Sequence, residues 1–468
     1  MDADKAGRPL EGVRVIDFSR VLAGPYCTAL FADLGADVIK IESPQGDDYR
    51  HVGPFRDGES LLFQAVNRGK RSLALDLKDP DAVKAVRALC NTADLVVENF
   101  RPGVMERLGL GARTLQDDNP RLVYLSLSGF GQSGPNVSRP AYDIIVQALS
   151  GMMHVTGAPD GPPTMIGEAL GDVAGGLFAA WGAMVALFER ERTGRGRHVD
   201  VALFDSLLSM MPVTAARVLG AGEDPGRTGN RHALSAPFGT YRAANGHFAL
   251  AVLNDRLFAT FCKAIGHPDA AQDARFASDT LRRQNEPELA GLIEDWAAGL
   301  TTGEAVDLLA ASGIPAAPIE TAAEAWRSPQ AEERRLSATV EHPVLGEMRV
   351  PCQPVHFAGM TREGGTPAPS LDQHRDEILA ELREGELGRP IGIIHSDHRG
   401  AQLRREVEPA LGEAALQLSG IHLAAPVGVD LAKPLLQREV VGRVERRHTT
   451  VFRCLVTVFA ARRCGVQT

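Results

Sequence analysis

One carboxylate stands out by its setting. In "EALGDVAGGLFAAWGAMVALFERERTGRGR", residues 168–197, Asp172 follows a glycine and precedes a small, glycine-dotted turn. Val173 to Phe188 is almost wholly apolar and ends in the charged run Glu189–Arg192, then Thr193-Gly194-Arg195-Gly196. That pattern predicts a helix with Asp172 at its N-terminus. The structural account of such a residue is an N-cap, accepting the unpaired amides of the first turn. The chemical account is a nucleophile: Gly171, Gly175 and Gly176 would let another molecule come close, and the helix end would stabilise negative charge beside the carboxylate.

A second signal is cationic. "NRGKRSLALDLK" (67–78) and "ENFRPGVMERLG" (98–109) place Arg68, Lys70, Arg71, Lys78, Arg101 and Arg107 near predicted strand ends, where open parallel sheets bind ligands. Each alone is an ordinary surface charge. Clustered, they suit a polyphosphate.

The elements that must position these groups form an alternating series. "VRVIDFS" (13–19) predicts a strand, "YCTALFADLGA" (26–36) a helix and "DVIKIE" (37–42) a strand, a βαβ unit. Strand 72–77, a helix opened by Asp79-Pro80, strand 94–100 and strand 122–128 continue it. The fold class is therefore α/β, a Rossmann-like parallel sheet covered by helices. The dinucleotide fingerprint is absent: "RVLAGPYC" carries one glycine where G-x-G-x-x-G needs three, which weakens an NAD-dependent reading and leaves Glu42 as a solvated strand end.

After the apolar helix come a strand at "HVDVAL" and a helix across "FDSLLSMMPVTAARVLG". We assign 1–219 to the first part of a large domain. From 220 to 328 we expect a smaller α+β domain, with a hairpin turning on Asn245-Gly246 and helices near 255–266, 286–300 and 303–312. Residues 329–388, with a hairpin in 337–351 and a helix at 371–382, are expected to return to the large domain. From Arg389 onward there are eleven Arg against one Lys and neither Trp nor Tyr. That segment reads as a weakly structured appendage, with a basic tail for an anionic partner as the alternative.

Composition excludes some functions. The chain has 468 residues and a net charge of −9, so no overall basic field draws it to nucleic acid or anionic membrane. Its six cysteines are scattered without a C-x-x-C pair, against a zinc site or disulfide framework. The N-terminus lacks an apolar signal core, and the apolar run 173–188 falls short of the roughly 20 residues of a spanning helix. We expect a cytoplasmic protein.

Together, "LEGVRVIDFSRVLAGPYCTALFADLGADVIKIESPQGDD", "NRGKRSLALDLK", "VENFRPGVMERLGLG", "SLSGFGQSGP", "AYDIIVQALSGMMHVTG", "ALGDVAGG", "ERTGRGRHVDVAL" and "LDQHRDEILAEL" resemble the family III CoA-transferases, the CaiB/BaiF group. The resemblance spans residues 10 to about 385. It implies Asp172 as nucleophile, and coenzyme A as substrate against Val21, Leu22, Ala23, Leu75, Lys78, Asn99, Phe100, Arg101 and Arg107. It implies no metal, no permanently bound cofactor, acyl-CoA and carboxylic acids as substrates with succinyl-CoA as donor, and an interlocked homodimer. Leu22 stands where formyl-CoA transferases have glutamine, and their glycine-rich loop is not found, which points away from oxalate and formate. An α-methylacyl-CoA racemase is the alternative on the same fold, but Tyr142 stands where those enzymes have a histidine. A non-catalytic acyl-CoA-binding protein, with Asp172 as a cap, is the alternative from another class.

Overall fold

The structure, a computed structural model, describes residues 7–360 and 365–386. The expectations for residues 389–468 fall outside these.

Six parallel strands form the main sheet: β1 (Arg14–Asp17), β2 (Asp37–Glu42), β3 (Arg71–Ala74), β4 (Leu95–Glu98), β5 (Val123–Ser128) and β6 (His198–Ala202). Their order is β3-β2-β1-β4-β5-β6. This is the order of dinucleotide-binding folds, in which the connections reverse direction between β1 and β4. The inner strands are largely buried because both faces of the sheet are covered, while the edge strand β6 exposes His198 and Asp200. Val15, Val38, Leu95, Val97, Val123 and Leu125 point into one core, with Cys27, Phe31, Ala179 and Ala183 from helices. Ile16, Ile39, Leu73, Val96 and Tyr124 point into the other, with Val86 and Leu89.

The helix after β1, α1 (Ala23–Asp33), starts three residues earlier than its apolar pattern suggests, because Ala23-Gly24-Pro25 supplies a proline early in the first turn. Helix α2 (Pro80–Asn91) begins as expected, with Asp79 capping the Asp81 amide. Helix α3 (Asp143–Leu149) precedes the long apolar helix α4 (Leu170–Thr193), which ends at the left-handed Gly194. At 24 residues α4 is long and apolar enough to cross a membrane by length and composition, contrary to the shorter span read from sequence. Half of its most apolar window is buried in the protein, and it packs against α1, β5 and β6 as a core helix. The expected helix over 204–220 is broken at Met210-Met211, since Pro212 cannot supply the amide for continuation.

A separate apolar cluster holds the antiparallel strands β7 (Phe238–Ala243), β8 (Gly246–Ala251) and β9 (Ala316–Pro318). The hairpin pairs Ala243 with Gly246, so the loop is Ala244-Asn245, one residue earlier than expected. Helices α5 (Asp255–Ala264), α6 (Glu286–Ala297) and α7 (Thr302–Ala311) cover it. The hairpin β10 (Ser337–His342) and β11 (Gly346–Pro351) follows, and then the chain returns to the main sheet. There α8 (Arg375–Glu386) docks on β3: Glu381 pairs with Arg14 at 2.9 Å and Arg71 at 2.6 Å, and Ile378 is fully buried.

Candidate active site

The direction reversal between β1 and β4 leaves a crevice beyond their C-terminal ends, lined by the loops that follow them. Asn99 ties the two loops together: its Oδ1 accepts from the Arg20 amide at 2.9 Å, and its Nδ2 donates to the Arg20 carbonyl at 2.8 Å. Two adjoining cavities open here. One, of about 190 Å³, contains Asp172 and is walled by the 20–23 loop, the 99–102 loop and residues 127–130 after β5. The other, of about 410 Å³, lies over β2 and the turn after β3. Arg20 and Phe100 border both, the guanidinium 5.6 Å from the ring centroid.

Of the residues named from sequence, Val21, Leu22, Ala23, Asn99, Phe100 and Arg101 line the first cavity with Asp172. Leu75, Lys78 and again Phe100 line the second. Arg107, exposed at the end of the turn Val104–Arg107, lines neither.

Three of the expected phosphate cations are committed elsewhere. All three lie at or just before the start of β3. Arg68 pairs with Asp33 at 2.6 Å and Lys70 with Asp17 at 2.9 Å, both buried, while Arg71 is held by Asp37, Glu377 and Glu381. Glu42, expected in solvent, is 5% exposed: Arg50 contacts it at 2.7 and 2.8 Å and the Ser72 hydroxyl donates to it at 2.7 Å.

Asp172 is the third residue of α4, not its cap. The N-cap is Ala169, and no side chain caps the helix. The half-buried Asp172 carboxylate is pushed from its ordinary value near 3.8 up to about 7, first by loss of water and then by the charge of Asp143. Asp143, at the start of α3, accepts the Gly171 amide at 2.6 Å and a Gln147 amide hydrogen at 2.7 Å. Gln147, fully buried, also accepts from the Ile166 amide at 3.0 Å. This latch aims the start of α4.

The glycines around Asp172 serve the protein's own packing. A Cβ on Gly176 would stand 2.5 Å from the Ala23 carbonyl oxygen, one on Gly175 would meet Leu203 at 2.3 Å, and one on Gly171 would meet Val146 at 2.8 Å. They bring α4 against α1, Leu203 and α3, instead of leaving open space as the sequence suggested.

Sequence reasoning missed Asp143 as a neighbour of Asp172, the Gln147 latch, and the cavity residues Asp48 and Arg139. The Asp47-Asp48 pair stood within the quoted "SPQGDD", but nothing in its spacing shows what the two carboxylates touch.

The chain has counterparts among known proteins. The model of CoA-transferase family III matches residues 10–375. The chain belongs to this family. The transferase is 42% identical over 377 residues, 80% of this chain and 96% of the relative, to an acetyl-CoA:oxalate CoA-transferase of Acetobacter aceti. It is 40% identical over 386 residues, 80% of this chain and 97% of the relative, to a succinyl-CoA:mesaconate CoA-transferase of Haloarcula hispanica. The crystal structure of a CaiB/BaiF family protein from Brucella suis superposes with a TM-score of 0.72 at 36% identity, covering 81% of this chain and all of that one. The transferase thus uses coenzyme A as a substrate, and it acts on acyl-CoA and carboxylate partners.

Proposed function

We propose that the transferase works by covalent catalysis on Asp172, with succinyl-CoA as donor. The observation that carries this reading is the Asp172 carboxylate itself: partly desolvated, beside a second carboxylate, and lining a cavity that adjoins a larger one. Both influences make it more basic and a better nucleophile.

Asp172 attacks the acyl carbonyl carbon of the donor, and the C–S bond breaks to give a mixed anhydride and CoA thiolate. The thiolate attacks the aspartyl carbonyl carbon; the donor acid leaves as carboxylate, and an aspartyl-CoA thioester remains. The acceptor carboxylate attacks that thioester, forming a new anhydride and freeing the thiolate. The thiolate takes the acceptor's acyl carbon and restores the Asp172 carboxylate. Each attack passes through an oxyanion, for which amides near the 22–24 turn are suitable donors.

The long cavity over β2 suits the nucleotide end of coenzyme A, with Lys78 exposed at its rim, and the Asp172 cavity suits the thioester. Arg101 and Arg139 border the latter without an ion-pair partner among the described residues, which supports an anionic acyl group such as succinyl. Leu22 argues against oxalate as acceptor, whereas the Acetobacter relative's name argues for it.

A homodimer accompanies this reading. Leu177, Trp181, Val185 and Phe188 of α4 are 56%, 65%, 51% and 80% exposed along one face, an apolar stripe that a second copy would cover.

The test is a screen of succinyl-CoA and acetyl-CoA against oxalate, mesaconate and glutarate, with CoA products read by mass spectrometry. Enzyme quenched with donor should carry an adduct on the Asp172 peptide that hydroxylamine releases as the hydroxamate. Asp172→Ala should fold, bind coenzyme A and transfer nothing above background. Transfer by that variant at more than a few per cent of the wild-type rate would remove Asp172 from this role.

A further inference from the structure

Behind the 20–23 loop lies an ion pair shut off from solvent. Lys40 Nζ stands 2.8 Å from Asp47 Oδ2, and both side chains are 1% exposed. The pair grips the loop's backbone. Lys40 Nζ donates to the Ser19 carbonyl at 2.7 Å. Asp47 Oδ1 accepts from the Val21 amide at 3.0 Å and the Tyr49 amide at 2.9 Å. With Arg20 held by Asn99, three consecutive residues are restrained from outside the loop.

The restraint has an evident purpose at Val21. Its φ is +69°, the left-handed region that a β-branched residue disfavours because Cβ crowds the following carbonyl. Dinucleotide-binding folds place glycine in this turn, where the conformation is free. Here a valine occupies it and must be held. The next two residues, Leu22 and Ala23, line the cavity with Asp172, so a relaxation of Val21 to negative φ would swing them off that wall.

We propose that Asp47, fastened by Lys40, is a positioning residue for CoA transfer: it holds Val21 left-handed and so keeps the Leu22-Ala23 wall set against Asp172. This rests on the transferase reading above. In this role Asp47 acts through the loop and not on the reacting atoms. Lys40 and Asp47 also border the second cavity, so removing Asp47 alters that wall as well as the loop, and rescue by Val21→Gly separates the two effects.

The experiment uses full-length chains and a donor–acceptor pair that the wild type turns over; absence of any wild-type turnover would count against the transferase reading and not against this one. Asp47→Ala should lower kcat about tenfold or more. Asp47→Asn, which keeps an oxygen for the Val21 amide, should retain most of the turnover. The discriminating readout is the double variant Asp47→Ala with Val21→Gly: glycine adopts positive φ unaided, so kcat should recover at least about threefold over Asp47→Ala. A purely structural role for the buried pair would show no such rescue. Val21→Pro attacks the same bond from the loop side without touching the ion pair, and it should also lose turnover. Wild-type kcat in Asp47→Ala or in Val21→Pro, or no gain from the glycine, would overturn the proposal; if Asp47→Ala does not fold, Val21→Pro and Asp47→Asn decide it.

Discussion

Asp143 accepts the backbone amide of Gly171 at 2.6 Å, which sets a second carboxylate beside the residue next to Asp172. One hydrogen bond thus aims the helix start and perturbs the carboxylate it carries. Asp172 is pushed up to about 7 by burial and by Asp143, while the Tyr49 phenol is raised to about 12, first by burial and then by the charges of Asp172, Asp47, Glu168 and Asp143. The nucleophile must be ionised, so kcat/KM should rise as pH increases through about 7. Asp143→Asn keeps an oxygen for Gly171 but removes the charge. Its acid limb should move to lower pH in a profile from about pH 5 to 9. An unmoved limb would show that burial alone sets the value.

The same shift is a stability statement. A carboxyl whose folded pKa is raised favours the protonated form in the folded state. Its cost to folding is absent below the unfolded value near 3.8, grows as pH rises, and is complete above about 7. Asp172→Asn escapes that cost. Its melting temperature should exceed wild type by several degrees at pH 8, and the gap should close as pH falls toward 4. An equal gap at both pH values would place the effect in packing.

Close packing of α4 on α1 predicts opposite outcomes for two glycines. Gly176→Ala drives a methyl to 2.5 Å from the Ala23 carbonyl oxygen, a backbone atom that cannot step aside. We expect a loss of about 1–3 kcal/mol and weaker activity through the displaced loop. Gly291→Ala, in α6 with nothing within 4 Å of the added Cβ, should stabilise by up to ~1 kcal/mol. Denaturant midpoints compare the two.

Racemisation at the α carbon needs an acid/base pair. Tyr142 at the N-cap of α3 is 72% exposed and offers a phenol, not an imidazole, at this position. A 2-methylacyl-CoA incubated with the enzyme in deuterated water should gain no α-deuterium.

The α8 contacts set where the chain can be shortened. The family match ends at residue 375 and α8 at Glu386. A chain ending at Gly388 should keep its melting temperature, oligomeric state and turnover. One ending at Ser370 loses the Glu377 and Glu381 pairs and buried Ile378, and should be markedly less stable on thermal unfolding.

Local pattern alone determined much of this protein. Strand and helix periods report which side chains are apolar, a property each residue carries with it, so the parallel sheet, both hairpins and the long helix could be read from sequence. The family motifs are local strings too, and they led to Asp172 and to eight other residues that line the two cavities. What tertiary structure decided is where charges and amides meet. Arg68 and Asp33 stand 35 positions apart, Arg71 and Glu381 310 apart, and only folding shows that such cations are consumed by ion pairs and not kept for phosphates. The glycines beside Asp172 read as room for a ligand, yet Ala23 and Leu203 fill that room. Asp172 resembled a cap because its spacing allowed it; Ala169 holds that position once Asp143 draws Gly171 into the helix start. Nor could sequence show that Asp47 reaches back 26 residues to hold Val21, because a left-handed valine leaves no mark in composition or period and exists only by the contacts that restrain it.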